Sequence, residues 1–469
     1  IPHHFEGNWR DIFQNWEALA WSHPEFLDGF IAKFLNASTV DGFNPYRITS
    51  AGLDWEVPDE DDPWASIGYW GDHQIVYLLK LLELEERIHP EHLASHLDDP
   101  RFVFADVPYR LKSWADTLKD PRDTVDFDRK RHDALMAAKE KIGADGLLLR
   151  DALGEPIRLT LAEKLLLPAL VKLGNLVPGG GIWMNTQRPE WNDANNALAG
   201  CGLSVVTAAY LYRYVHMVSG LISAHPGETL MISPAVATLV DEMNELLTGD
   251  RWQRQDSLDA AERFAMVERA GLAIEHHRRT VYASGPGTAA PCDRKTILAL
   301  LKNAEGALEG MLRTNRRVDH LWHSYNILNV RQQARTMEIE RLPVMLEGQV
   351  AVLSSGILNP GEAARLLEAL PASALRSERH QSYTLYPDAE TAPFLGFNLI
   401  TQEQVDGIKI LGEMAKRRDT RIIEPDPERG YRFHPSLTNA YALRETLDAL
   451  AGEPAHAAAL ESERTAIED

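Results

Sequence analysis

The sequence predicts an all-α fold, a toroid of helical hairpins or an irregular bundle with long loops and minor β-hairpins. Three observations carry that prediction. Apolar residues recur at helical spacing over most of the chain. Helix-start signals, capping boxes and early prolines, punctuate those runs. Strand-like pieces are few and short, near 182–184 and 383–385.

The elements follow in order. Trp9, Ile12, Phe13, Trp16, Leu19 and Ala20 mark one face of a first amphipathic helix. Ser22, Pro24 and Glu25 then restart a helix through Phe34. The run 75–88 is so rich in leucine that it must be largely buried. Thr160-Leu-Ala-Glu163 is a capping box opening a helix toward Gly174. The run 197–222 is apolar around most of its circumference, as an interior helix is. Further helical patterns lie near 127–142, 233–247, 257–277, 296–313, 340–355, 360–369, 401–417 and 437–451. No Pro/Gly/Ser-rich linker divides the chain and no repeat of solenoid period occurs. One domain over 1–455 is therefore expected, followed by a solvated acidic tail over 456–469.

Composition narrows the function classes. The chain has 469 residues, 44% of them hydrophobic, which supplies ample core and excludes a disordered chain. Sixty-nine acids against 48 Lys+Arg give a formal charge of -21 and leave no basic run, so nucleic acid and an anionic membrane are poor partners. Two cysteines, Cys201 and Cys292, make neither a disulfide framework nor a zinc site. No apolar run is long enough to span a membrane. The start, Ile1-Pro2-His3-His4, is neither an initiator Met nor a signal peptide and reads as an excised end of a longer chain. With no targeting signal visible, a cytoplasmic location is expected.

Two long loops, 41–72 and 178–196, interrupt the helices. Both set Trp and Tyr beside carboxylates and amides, which is what a sugar site needs: rings to stack on C–H faces, and fixed polar groups for hydroxyls. Within the second, Glu190-Trp191-Asn192-Asp193 puts two carboxyls three residues apart beside an indole, a setting that favours a protonated acid near neutral pH. The plainer reading is that Asn192 or Asp193 caps the next helix. Arg10, Asp11, Gln14 and Asn15 form one polar stripe through i, i+4 pairs, by the plainer reading a solvated face. Gly71-Asp72-His73 opens the Leu-rich helix, and Asp72 serves there equally well as an N-cap. His320 and His323 lack a third ligand at metal spacing, so no metal is expected. No dinucleotide, Walker or nucleophile-elbow motif occurs.

Together these segments resemble the cellobiose phosphorylase family of inverting glycoside phosphorylases, whose catalytic domain is an (α/α)6 barrel. Trp9-Arg10-Asp11-Ile12-Phe13-Gln14-Asn15 is similar to the family's Arg-Asp helix start, which contacts the sugar in subsite −1. Gly71-Asp72-His73 is similar to its acidic segment at the next inner helix. Glu190-Trp191-Asn192-Asp193 is similar to its Asp-Trp-Asn-Asp motif, in which the last Asp is the general acid and the Trp walls the sugar. A weaker likeness runs through residues 345–367. Asn15 and Glu190 stand where the family has Asp. The family's Thr-Gly-Ser phosphate loop and its preceding β-sandwich are not recognisable here.

The resemblance implies an enzyme that cleaves β-glucosidic bonds with inorganic phosphate as nucleophile and no other cofactor. Asp193 is the expected general acid. Arg10, Asp11, Gln14, Asn15, Asp72, His73, Glu190 and Trp191 are the expected substrate contacts, on a disaccharide or oligosaccharide. Arg188, Arg376, Arg379 and His380 are the candidate phosphate cations, and a homodimer is a candidate assembly. An inverting hydrolase on the same fold is the alternative, with Glu56, Asp72 or Asp11 as base. A non-catalytic carbohydrate-binding toroid is a more distant one.

Overall fold

The computed structural model describes residues 6–45, 47–49, 52–59, 67–70, 74–186, 197–387, 398–426, 430–454 and 456–468, with the backbone alone at 6–11, 47, 70, 461 and 468. The chain divides into two compact units, Ile1–Pro387 and Asp388–Asp469. This differs from the single domain and acidic tail expected from sequence.

Helix dominates the described residues of the first unit. The first expected helix spans Trp9–Ser22 and the restarted one Leu27–Ala37, after a 3₁₀ turn at Pro24–Phe26. The Leu-rich run begins as a π-type turn, Gln74–Leu78, before the regular helix Leu79–Ile88. Helix Leu161–Leu173 is buried on every side. Thr160 caps it by accepting from the Glu163 N–H at 3.2 Å. The reciprocal half of the expected capping box is replaced: the Glu163 carboxylate instead accepts from the Ser233 N–H and hydroxyl, both at 2.7 Å. Helices Val205–Ala224, Pro234–Leu247, Ala260–Ser284 and Arg294–Thr314 follow, and Leu346–Ser355 with Pro360–Ala369 makes a final hairpin.

The β structure exceeds the expected hairpins. An antiparallel sheet runs in the order Thr336–Arg341, Tyr325–Arg331, Gly202–Ser204, Gly181–Trp183, Leu176–Val177. Three of its strands are two or three fully buried residues long, too short to show a period of two in sequence. The helix expected over 340–355 gives its first two residues to this sheet. Gly181 is required there: its φ is +135°, and a Cβ would meet the Ser204 carbonyl carbon at 2.8 Å. Asn326 secures the same turn, donating to Gly180 O at 2.7 Å and Asn315 Oδ1 at 2.9 Å.

One buried cation offers a test of the core. Lys164 is fully buried, donates to Val103 O at 2.8 Å and Ser38 O at 3.3 Å, and lies 4.0 Å from the Phe104 ring centroid. Burial holds its pKa well below the ordinary 10.5, with the Glu163 charge opposing. Between the depressed value and 10.5 the unfolded chain binds more protons than the folded one, so stability rises with pH across that window. Urea unfolding of wild type and Lys164→Met from neutral pH to about pH 10 should show the wild type gaining on the variant as pH rises. A constant gap would mean the ammonium carries no burial penalty.

The second unit has its own core, built from Ile400, Val405, Ile410, Leu411, Met414, Leu443, Leu447, Leu450, Leu460 and Ile467, among others. A three-stranded sheet ordered Leu399–Ile400, Gly430–Phe433, Ile423–Asp426 packs with helices Gln402–Gly407, Lys409–Arg417, Ala440–Ala451 and Ala457–Glu468. The expected tail is therefore structured. Leu460 and Ile467, one heptad apart, are buried, and the Glu463 carboxylate caps helix Lys409–Arg417 by accepting from the N–H groups of Lys409 and Ile410 at 3.1 and 2.9 Å.

Candidate active site

The sheet sets the ends of the second long loop. Strands Gly181–Trp183 and Gly202–Ser204 are antiparallel neighbours, and beyond them Met184 N donates to Gly202 O at 2.9 Å and Gly200 N to Met184 O at 2.8 Å. The Trp183 indole N–H closes the stem on Gly200 O at 2.9 Å. Helix Val205–Ala224 then starts directly from the strand, with the Ser204 hydroxyl accepting from Thr207 N at 2.9 Å. Glu190, Trp191 and Asp193 lie between these stems and outside the described residues, as does Arg188.

The first loop is tied to the start of the first helix. Strand Glu6–Asn8 runs straight into Trp9–Ser22 and pairs with Arg47–Thr49, Asn8 opposite Arg47. Asn44 and Pro45 pair with Trp70 and Tyr69, immediately before Gly71-Asp72-His73, which lie outside the described residues. Phe43 and Tyr69 from this loop line a cleft of about 20 Å³, room for a water molecule among the described residues, together with Lys172, Asn175, Trp183, Asn185, Thr186 and Thr207. Asn185 Nδ2 donates to Asn175 Oδ1 at 2.9 Å, and Lys172 Nζ lies 5.7 Å from the Phe43 ring centroid. Thr186 Oγ1 is buried with no hydrogen-bond partner among the described residues.

Three helices that carry or adjoin the motifs are joined by ion pairs. Glu17 on Trp9–Ser22 meets Lys80 on Leu79–Ile88 at 3.0 Å. Glu83 on that second helix takes Arg213, on Val205–Ala224, through two bonds of 2.5 and 2.6 Å. Gln14 Nε2 reaches the Tyr77 hydroxyl at 3.3 Å, four residues past His73. Residues in or beside 10–15 and 71–73 are thus brought together, although the sequence sets them far apart.

Beside the cleft lies a polar network that sequence reading missed. Asp41 is 2% exposed and accepts from the hydroxyls of Thr39, Tyr69 and Tyr282. Helix Ala260–Ser284 supplies Tyr282 and also His277, whose Nε2 lies 3.0 Å from Val40 O. Burial, then the Asp41 charge, pushes both tyrosine hydroxyls well above their ordinary pKa, so they stay protonated donors. Tyr69 borders the cleft on one side and, on the other, a cavity of about 730 Å³ lined by Asp41, Arg110, Arg131 and Tyr282. Arg131 is held there by Asp106 through bonds of 2.7 and 2.5 Å.

The remaining expected residues fall as follows. Arg10 and Asp11 occupy the first turn of helix Trp9–Ser22; Gln14 and Asn15 are exposed on it. Glu56 accepts from Gly68 N at 2.6 Å within the first loop. Arg376 packs over the Tyr383 ring at 5.5 Å in the hairpin Arg376–Ser377/Ser382–Tyr383, and Arg379 and His380 are exposed at its turn. None of these last three lines the cleft. Among the described residues no helix is long and apolar enough to cross a membrane.

No curated protein matches the chain significantly. Residues 391–469 match the family model described as GH149 phosphorylase insertion domain 2, which covers nearly all of the second compact unit. The similarity is to a domain of glycoside phosphorylases and is confined to these residues.

Proposed function

We propose that this protein is an inverting glycoside phosphorylase whose first unit builds an (α/α)6 barrel around a single sugar-binding site. The observation that carries the reading is the approach of described residues in or beside the three motifs: Gln14 bonded to Tyr77, and Tyr69 lining one cleft with Asn185 and Thr186. The phosphorylase insertion domain in residues 391–469 supports it from outside the site.

In this reading a β-glucosidic bond lies across subsite −1, with Trp191 stacked on the sugar face. Arg10, Asp11, Gln14, Asn15, Asp72, His73 and Glu190 hold its hydroxyls. Asp193 gives its proton to the glycosidic oxygen as the C1–O bond breaks. A phosphate oxygen attacks C1 from the opposite face and forms the new C1–O bond, so the product is an α-sugar 1-phosphate with inverted configuration. Phosphate arrives already anionic, so this reaction needs no protein base. Phosphate is a co-substrate, and the chemistry requires no metal.

The test is a panel of β-linked glucobioses incubated with and without phosphate. Phosphate-dependent release of a sugar 1-phosphate is the expected result. Reducing sugar formed equally well without phosphate would assign hydrolysis instead, and ligand binding without turnover of any glycan would leave a binding protein.

A further inference from the structure

On the other side of Tyr69 from the cleft, the cavity of about 730 Å³ has no part in the proposed reaction. Its volume is that of a pocket for a small metabolite, larger than a bare inorganic ion fills. The segment 105–110, the loop 149–158 and the turn 285–289 after helix Ala260–Ser284 are among its walls. Four arginines line it, Arg110, Arg131, Arg150 and Arg158, against three carboxylates, Asp41, Asp106 and Asp151. That is a local excess of cations in a chain with 69 acids and only 48 Lys+Arg.

The carboxylates are already matched. Asp41 takes three hydroxyls, Asp106 takes the Arg131 fork, and Asp151 accepts from the N–H groups of Leu153 and Glu155 at 2.9 and 3.0 Å. The arginines are held in place but not spent. Arg110 lies over the Tyr282 ring, 4.7 Å from its centroid, and donates from Nη1 to Tyr109 O at 2.7 Å and Val107 O at 3.3 Å. Its Nε and Nη2 have no acceptor among the described residues. Arg150 donates only to backbone, to Asp145 O at 2.9 Å and to Gly154 O. Arg131 keeps its Nη1 outside the fork, and Arg158 is exposed with no partner among the described residues. Guanidiniums fixed in advance, with N–H groups left over, suit phosphate oxygens: they lose little freedom on binding and offer paired donors.

We propose that this cavity binds a phosphomonoester, its phosphate held by Arg110, Arg131 and Arg158 and its organic part against Val107, Ile157 and Tyr282. Sugar phosphates and nucleotides share that chemistry. Tyr69 borders both cavity and cleft, so the ester lies next to the proposed reaction site without using any residue expected there.

The experiment titrates the full chain calorimetrically with glucose 6-phosphate and with AMP. Neither is substrate or product of the reaction proposed above, so binding is read without turnover and independently of that reading. One-site binding is expected, and which probe binds tells a sugar phosphate from a nucleotide. Arg158→Glu, at an exposed position, and Arg110→Gln should each weaken it about tenfold or more. Asp193→Asn should bind as wild type does. Failure of both probes to bind overturns the proposal. So does affinity equal in wild type and both arginine variants, and so does a loss in Asp193→Asn, because the ester then sits elsewhere.

Discussion

Asp193→Asn should lower kcat by about 10²- to 10⁴-fold, the range that loss of a positioned general acid produces, while melting temperature and sugar affinity stay near wild type. Asparagine keeps the size and hydrogen-bonding capacity of the side chain but has no proton to give. The sharper measurement varies the leaving group. A glycosidic oxygen that leaves as a sugar alkoxide needs protonation in the transition state, whereas a nitrophenolate or fluoride needs little. The deficit of Asp193→Asn should therefore shrink by orders of magnitude on an activated glycoside, with phosphate still required. The alternative of Asp193 as a helix cap is closed by Ser204, which caps helix Val205–Ala224; if Asp193 has only a structural part, melting temperature falls and the loss of activity is independent of the leaving group. A variant that keeps most of its activity on a glucobiose would remove Asp193 from the mechanism.

The helices were legible because burial writes itself into sequence at the helical period. The face of Trp9, Ile12, Phe13, Trp16, Leu19 and Ala20 became helix Trp9–Ser22, although Leu19 is exposed, and the all-round apolar 197–222 run became helix Val205–Ala224, starting eight residues late because Gly202–Ser204 joins the sheet. Thr160 was legible as a cap, but Glu163 was not legible as the partner of Ser233, because that contact joins residues 70 positions apart. The same reason hid the sheet, whose short buried strands have no period to read. It also hid the Asp41 network, since nothing local connects an aspartate in the first loop with a tyrosine late in helix Ala260–Ser284. The C-terminal segment misled for a different reason. Its acids read as solvated, while only Leu460 and Ile467 betray a buried face, and Glu463 does its work as a cap on another helix. The reading of residues 10–15, 72–73 and 190–193 as motifs rests on family likeness, and what the structure adds is the Gln14–Tyr77 bond and the cleft that Tyr69 shares with Asn185 and Thr186.

Asp41→Ala should destabilise the first unit by about 2–4 kcal/mol, measured by urea unfolding, because it removes the buried carboxylate that accepts from the Tyr69 and Tyr282 hydroxyls, while Thr39 keeps Phe43 O at 3.0 Å. Asp41→Asn keeps the shape and one acceptor oxygen, so its cost should be smaller, about 1–2 kcal/mol. A double-mutant cycle with Tyr282→Phe separates a network from a set of independent bonds. Alone, Tyr282→Phe removes one donor to the carboxylate and leaves the Leu111 N–H, 3.2 Å from the tyrosine oxygen, without its acceptor. In the Asp41→Ala background the same change removes a hydroxyl that has already lost its acceptor, so its cost should fall to that of the unmatched Leu111 N–H alone. Strict additivity would mean that the two tyrosine hydroxyls find other acceptors once the carboxylate is gone. The effect should also reach the cleft. Tyr69 holds its place between cavity and cleft through Asp41 and the Thr39 hydroxyl at 2.6 Å, so a Tyr69 ring freed from the carboxylate no longer fixes the wall opposite Asn185 and Thr186. Substrate affinity in Asp41→Asn should therefore weaken more than its small loss of stability predicts, and that disproportion is what distinguishes a wall of the site from ordinary core.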